Sequence, residues 1–130
     1  MIKNVYIVYS PRGGDNPFYC SSRNDIANWL NSLYSETDMT FTESNVNHYV
    51  YKSSYGSSRN GISVTTIPAS EFYERWVNMY NAVLSIYNKP ILDKRTEKYI
   101  SKIAPIILQS KNENRNITFI DNVVRPISLY

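Results

Sequence analysis

The residues that could carry chemistry in this 130-residue chain fall into a few small groups. The first is Pro11-Arg12-Gly13-Gly14-Asp15, a turn that follows an apolar run. Glycines let backbone N–H groups approach a phosphate, and a following helix N-terminus would attract the same anion. Arg12, Gly13 and Gly14 are therefore candidate phosphate-binding residues, with Arg23 able to add charge. The spacing matches neither G-x-G-x-x-G nor G-x-x-x-x-G-K-[ST], and seven residues separate Gly14 from the expected helix cap, Ser22. A surface turn that uses Gly-Gly for its backbone freedom explains the same residues.

Cys20 and His48 are the single cysteine and the single histidine, the minimum for a thiolate nucleophile with a base. Nothing in their spacing brings them together, and a small half-buried residue ahead of a helix is the ordinary role for Cys20. Asp15, Asp25, Glu36, Asp38 and Glu43 could serve acid–base or metal chemistry, but solvated loop carboxylates have the same pattern. One cysteine leaves no internal disulfide, and one histidine leaves no ordinary zinc site without ligands from a second subunit. No cofactor is expected, and the shortage of convergent histidines, carboxylates and glycines argues against an enzyme.

Two further groups could bind rather than react. Lys94, Lys98 and Lys102 recur every four residues with Arg95 beside them, a basic face that suits phosphates. Residues 1–65 carry five basic and five acidic groups and residues 66–130 nine and six, so the net charge of +3 arises in the second half. A solvated lysine face beside Asp93 and Glu97 accounts for this pattern equally well. The second group is aromatic: Tyr49, Tyr51 and Tyr55 with Lys52 and Arg59, and Tyr19 beside the Pro11 turn. Twelve tyrosines are more than one core of this size absorbs, and tyrosine is a residue of recognition surfaces.

The elements that position these groups follow from periodicity. Phe72, Tyr73, Trp76, Val77, Tyr80, Val83, Leu84 and Tyr87 give Ser70–Asn88 the i, i+3, i+4, i+7 spacing of a helix, started by Ser70 and stopped by Pro90. Lys3–Ser10 is apolar on both faces and reads as a central strand. Phe18, Tyr19 and Cys20 lead into a helix from Arg23 to Tyr34, where Ser22 and Asp25 resemble a capping box.

Met39–Glu43 offers a short strand. Asn47–Ser53 alternates, as do Ile62, Val64 and Thr66, so they read as a hairpin closed by a polar loop with an Asn60-Gly61 turn. Leu92, Thr96, Tyr99, Ile100, Ile103 and Ile107 define a third helix, capped by Asp93 and kinked or broken at Pro105. Ile117–Ile120 reads as a strand, and Val123–Tyr130 as an edge segment limited by Pro126. Its apolar end, Ile127–Tyr130, could dock on its own domain or on a neighbouring subunit, and the sequence leaves the oligomeric state open.

The length suits a single globular domain over residues 1–130. The expected class is α+β: a mostly antiparallel sheet of four to five strands with two or three helices on one face, in the order β-α-β-β-α-α-β. A ferredoxin-like arrangement is compatible with that order. The apolar N-terminal run is too short for a signal peptide or a membrane span, which implies a cytoplasmic location and no membrane partner. The wealth of asparagine, isoleucine and tyrosine, which have A/T-rich codons, suits a phage or other mobile element.

The expected function is a binding protein, an interaction or inhibitor factor acting on a host protein through Arg12, Tyr19, Tyr49, Tyr51, Tyr55 and Arg59. The alternatives are nucleic-acid binding through Lys94, Arg95, Lys98 and Lys102, and a phosphate or nucleotide site at Arg12, Gly13 and Gly14.

Overall fold

A computed structural model of the chain describes residues 2–14, 16–56, 60–85, 91–92, 94–120 and 126–128. The first strand, β1 (Asn4–Tyr9), lies in the middle of a four-stranded antiparallel sheet. β2 (Phe18–Cys20) pairs with it on one side, with Val8 opposite Phe18 and Tyr6 opposite Cys20. β3 (Ser63–Pro68) pairs with it on the other, and β5 (Thr118–Ile120) extends the sheet beyond β2. The strand order is β3-β1-β2-β5. A separate two-stranded ladder joins β4 (Ile91–Leu92) and β6 (Pro126–Ser128), so part of the expected Val123–Tyr130 edge segment is strand.

Helices cover both faces of the sheet, not one as expected. Alternation along β1 sends Tyr6 and Val8 to one core and Val5 and Ile7 to the other. On the first face lie α1 (Arg23–Leu33), through Ile26, Ala27 and Leu30, and α2 (Glu43–Ser53), through Val46 and Tyr49. On the second lie α3 (Ala69–Leu84), through Phe72, Tyr73 and Trp76, and α4 (Lys94–Asn112), through Ile100, Ala104 and Ile107. A central strand that is apolar on both sides requires cover on both sides, and Val5 and Val8 are each fully buried.

Among the described residues the element order is thus β-β-α-α-β-α-β-α-β-β, with four helices, in place of the expected β-α-β-β-α-α-β. Two of the added strands are the short β4 and β6, and Leu92, expected to open the third helix, lies in β4 ahead of α4. Two local departures account for the rest. Phe18–Cys20 is a strand and not an approach to α1; Pro11–Gly13 forms a single 3-10 turn that returns the chain for pairing with β1. Asn47–Ser53 is helical. Thr42 caps α2 in a complete capping box with Asn45, and Val46, Tyr49, Val50 and Ser53 then fall on one helical face. The alternation at Tyr49 and Tyr51 is real, but burial of Val46 and Tyr49 at helical spacing prevails.

β3 therefore has β1 and not residues 47–53 as its partner. Its Asn60-Gly61 entry does take positive φ, 57° and 72°. Met39–Glu43 is not a strand either. The Asn31 side-chain amide donates to the Phe41 carbonyl at 2.9 Å and accepts its N–H at 2.8 Å, doing for one residue what a ladder would do.

α1 forms as expected, with Ser22 Oγ accepting the Asp25 N–H. α3 starts one residue early on Pro68 without a side-chain cap, so Ser70 lies inside it, and it ends at Leu84. The expected stop at Asn88–Pro90 and the expected cap Asp93 lie outside the described residues. α4 runs through Pro105 as one helix, without a break. Pro105 and Ser101 are both exposed, so the carbonyl that loses its i+4 donor can be hydrated.

Candidate interaction surface

The exposed side of α2 carries the strongest candidate. His48, Tyr51, Lys52 and Tyr55 stand at i, i+3, i+4 and i+7, and all four are exposed. The stripe is held from below. Val46 and Tyr49 anchor the inner face, Tyr49 against Phe41 with ring centroids 6.2 Å apart. Tyr55 follows the last helical turn, its N–H bonded to the Lys52 carbonyl at 3.1 Å, and Gly56 takes φ 75° with its N–H on the Ser53 carbonyl at 3.0 Å. Ser54 Oγ donates to the Tyr51 carbonyl at 2.6 Å, which satisfies an orphan acceptor of the helix end.

Tyr51 and Tyr55 are 58% and 72% exposed and meet edge to face with centroids 5.1 Å apart. Such a pair is a preassembled aromatic ledge: two rings ordered on each other, with hydroxyls free to find acceptors on a partner. Lys52 gives the stripe positive charge. His48 also lines a shallow cavity of about 190 Å³ with Phe41, Asn45 and Asn60, directly beside the stripe.

The other expected contact residues lie elsewhere. Tyr49 is 6% exposed and belongs to the core, so it cannot contact a partner without unfolding α2. Tyr19 is half-buried on the opposite sheet face, stacked on Phe119 at 4.8 Å. Arg12 is exposed, but its guanidinium donates to the Leu33 carbonyl at 3.2 Å and sits 5.0 Å from the centre of the Tyr34 ring. Arg59 lies outside the described residues.

The Pro11 turn is tied up internally. Gly13 N–H bonds the Ser10 carbonyl at 2.9 Å and Arg12 N–H the Ser10 hydroxyl at 3.3 Å. A Cβ on Gly13 would stand 3.0 Å from the Trp29 ring, so this glycine serves close packing, while Gly14 has φ 68° and open space around it. The turn runs into β2, which separates it from the N-terminus of α1.

Cys20 is fully buried, and its thiol donates to the Ser22 carbonyl at 3.4 Å. Burial pushes its pKa to about 12, against a weaker lowering from that hydrogen bond and a small raising by Asp25. A thiol so placed is protonated at neutral pH and makes a poor nucleophile. Asp25 accepts a long 3.5 Å hydrogen bond from Thr118, Glu36, Asp38 and Glu43 are exposed, and Asp15 lies outside the described residues. Among the described residues no cluster of three or more His, Cys, Asp and Glu could hold a metal ion. Among them, too, no helix is long and apolar enough to cross a membrane.

Lys94, Arg95, Lys98 and Lys102 are all exposed on α4 and make no ion pair with any described residue. No protein-family model, curated protein or solved structure matches the chain.

The sequence pattern grouped Lys52 with Tyr49, Tyr51 and Tyr55 and left out His48. Period-two alternation puts His48 and Lys52 on the face opposite Tyr51, whereas the 3.6-residue period puts them beside it.

Proposed function

We propose that this chain is a binding protein that docks a partner protein on the outer face of α2. The observation that carries the reading is the Tyr51–Tyr55 pair, two large rings ordered against each other and left open to solvent. Aromatic anchors beside polar and charged groups are the residues that concentrate binding energy at protein interfaces. Lys52 and His48 beside them, with no carboxylate on the stripe, favour a partner surface that carries acidic groups. The codon-biased composition makes a host protein the natural target of a mobile-element factor of this kind.

The test is capture from host lysate with wild-type protein and with the Tyr51→Ala/Tyr55→Ala double variant, each with and without nuclease. A protein retained by wild type after nuclease, and lost with the double variant, supports the reading. Equal retention by both forms overturns it.

A second reading rests on α4. Four exposed cations without ion-pair partners among the described residues could track a phosphate backbone. Binding to single-stranded DNA or RNA that weakens steeply with salt, and less steeply after Lys98→Gln and Lys102→Gln, would place nucleic acid first.

A further inference from the structure

Away from α2, a cavity of about 450 Å³ opens between the start of α3 and the end of α4, lined by Ile2, Ala69, Ser70, Tyr73, Lys111 and Asn114. Its volume falls within the range of about 300–1,000 Å³ common for small-molecule sites. The floor is apolar: Ala69 is 5% exposed and Tyr73 6%. Lys111 lies at the wall with its ammonium 5.6 Å from the centre of the Tyr73 ring. Asn114 closes the far side, turned back from α4 at φ 54° with its N–H on the Lys111 carbonyl at 3.2 Å.

The Tyr73 hydroxyl marks this space as more than a packing gap. It has no hydrogen-bond partner among the described residues, yet every fully buried side-chain polar atom described here has one. The oxygen of this otherwise buried side chain therefore reaches the cavity, where a ligand could accept from it. Burial raises the Tyr73 pKa, which keeps the group a donor at neutral pH.

Two more features set the charge. α3 begins at Ala69 without a side-chain cap, its Ala69 N–H bonded to the Lys3 carbonyl at 2.9 Å, and Ala69 and Ser70 of its first turn line the same cavity as Lys111. Through Ile2 and Asn114 the cavity adjoins a polar one of about 390 Å³, lined also by Lys3, Asn4 and Ser21. Among the described residues no carboxylate lines either.

We infer that this cleft is a binding site for a small carboxylate with an apolar body. The head group accepts from the Tyr73 hydroxyl and Lys111 at the start of α3, and the body lies against Ile2, Ala69 and the Tyr73 ring. A neutral ligand gains nothing from the Lys111 charge, and a bare inorganic anion leaves the apolar floor uncovered.

The test is a titration of isotope-labelled full-length protein with 4-phenylbutyrate, followed by amide chemical shifts. The matched alcohol 4-phenylbutanol and inorganic phosphate serve as the other probes. Saturable shifts at Ala69, Ser70, Tyr73 and Asn114 are expected with the acid, with binding at least about fivefold weaker for the alcohol and for phosphate. Tyr73→Phe, which keeps the ring, and Lys111→Met, which keeps the stem, should each weaken the acid by about fivefold or more without loss of fold. The inference is overturned if those amides show no saturable shift, if the alcohol binds as tightly as the acid, or if both variants bind as wild type does.

Discussion

The Ser53 hydroxyl, at the end of α2, accepts the backbone N–H of Val64 on β3 at 2.9 Å. β3 is an outer strand, and in an antiparallel pair this N–H points away from β1. Two residues on, Thr66 presents the next outward donor, and Pro68 has none to present. On the opposite edge the Tyr99 hydroxyl donates to the Ile120 carbonyl of β5 at 2.9 Å. Both edges are thus partly blunted against strand addition, which directs attention to helical faces as docking surfaces.

Ser53→Ala should cost about 1 kcal/mol, because it leaves a partly buried donor without its acceptor. Urea denaturation measures the loss. Hydrogen exchange should show faster exchange at the Val64 amide than at the amides of β1, and unchanged rates there would refute the clamp.

Tyrosines six residues apart on and beside α2 should behave oppositely. Tyr55→Ala removes a ring that is 72% exposed and should change stability by no more than about 0.5 kcal/mol. Tyr49→Ala empties a core position that is 6% exposed and should cost about 3–5 kcal/mol. Partner capture should fall for the first at full stability. If Tyr55→Ala destabilises as much as Tyr49→Ala, the ledge is structural and not an interface.

Cys20 gives a pH signature. Its pKa stands near 12 when folded, against 9.0 for an unperturbed thiol, so the unfolded chain releases this proton first as pH rises. The stabilisation is full below pH 9 and is lost from there towards pH 12, with a slope of up to about 1.4 kcal/mol per pH unit. Cys20→Ala should flatten that part of the stability curve. At pH 8 a thiol reagent should modify the native protein far more slowly than the denatured one; comparable rates would show that the thiol is accessible.

Pro105 interrupts the hydrogen-bond ladder of α4 on its exposed side. Pro105→Ala restores the donor to the Ser101 carbonyl and should stabilise the protein by about 1–3 kcal/mol, the difference in helix propensity reduced by the stiffening that proline gives the unfolded chain. Thermal and urea unfolding would check this; a destabilised variant would mean that the irregularity at this turn is needed for packing.

What could be read from the sequence depended on whether one periodicity fitted or two. Ile26, Trp29, Leu30 and Leu33 fit a helix and nothing else, and Ser22 supplies the cap, so α1 was plain. Residues 46–53 fit both periods: Tyr49 and Tyr51 alternate, while Val46, Tyr49 and Val50 recur helically. The arbiter was the Thr42–Asn45 capping box, hidden because asparagine takes the place usual for Glu or Gln.

β2 has three residues, too few for any period to register, and it exists because β1 offers it a partner. The same ambiguity reached the candidate surface. Tyr49, Tyr51 and Tyr55 are identical in type, and only the path of the helix determines that one is core and two are ledge.

The alternation along β1 has a consequence for how the molecule fails. Val5 and Tyr6 are neighbours in the chain, yet each helps to seal a different helical layer. A slip of β1 by one residue against its neighbours would exchange the two sets of side chains, presenting the Tyr6 ring where Val5 now fits and Ile7 where the Tyr6 hydroxyl accepts from Arg23 at 3.1 Å. Neither layer could repack without disturbing the other through the shared wall, so damage on one side should be felt on both, and the two layers should melt in a single transition.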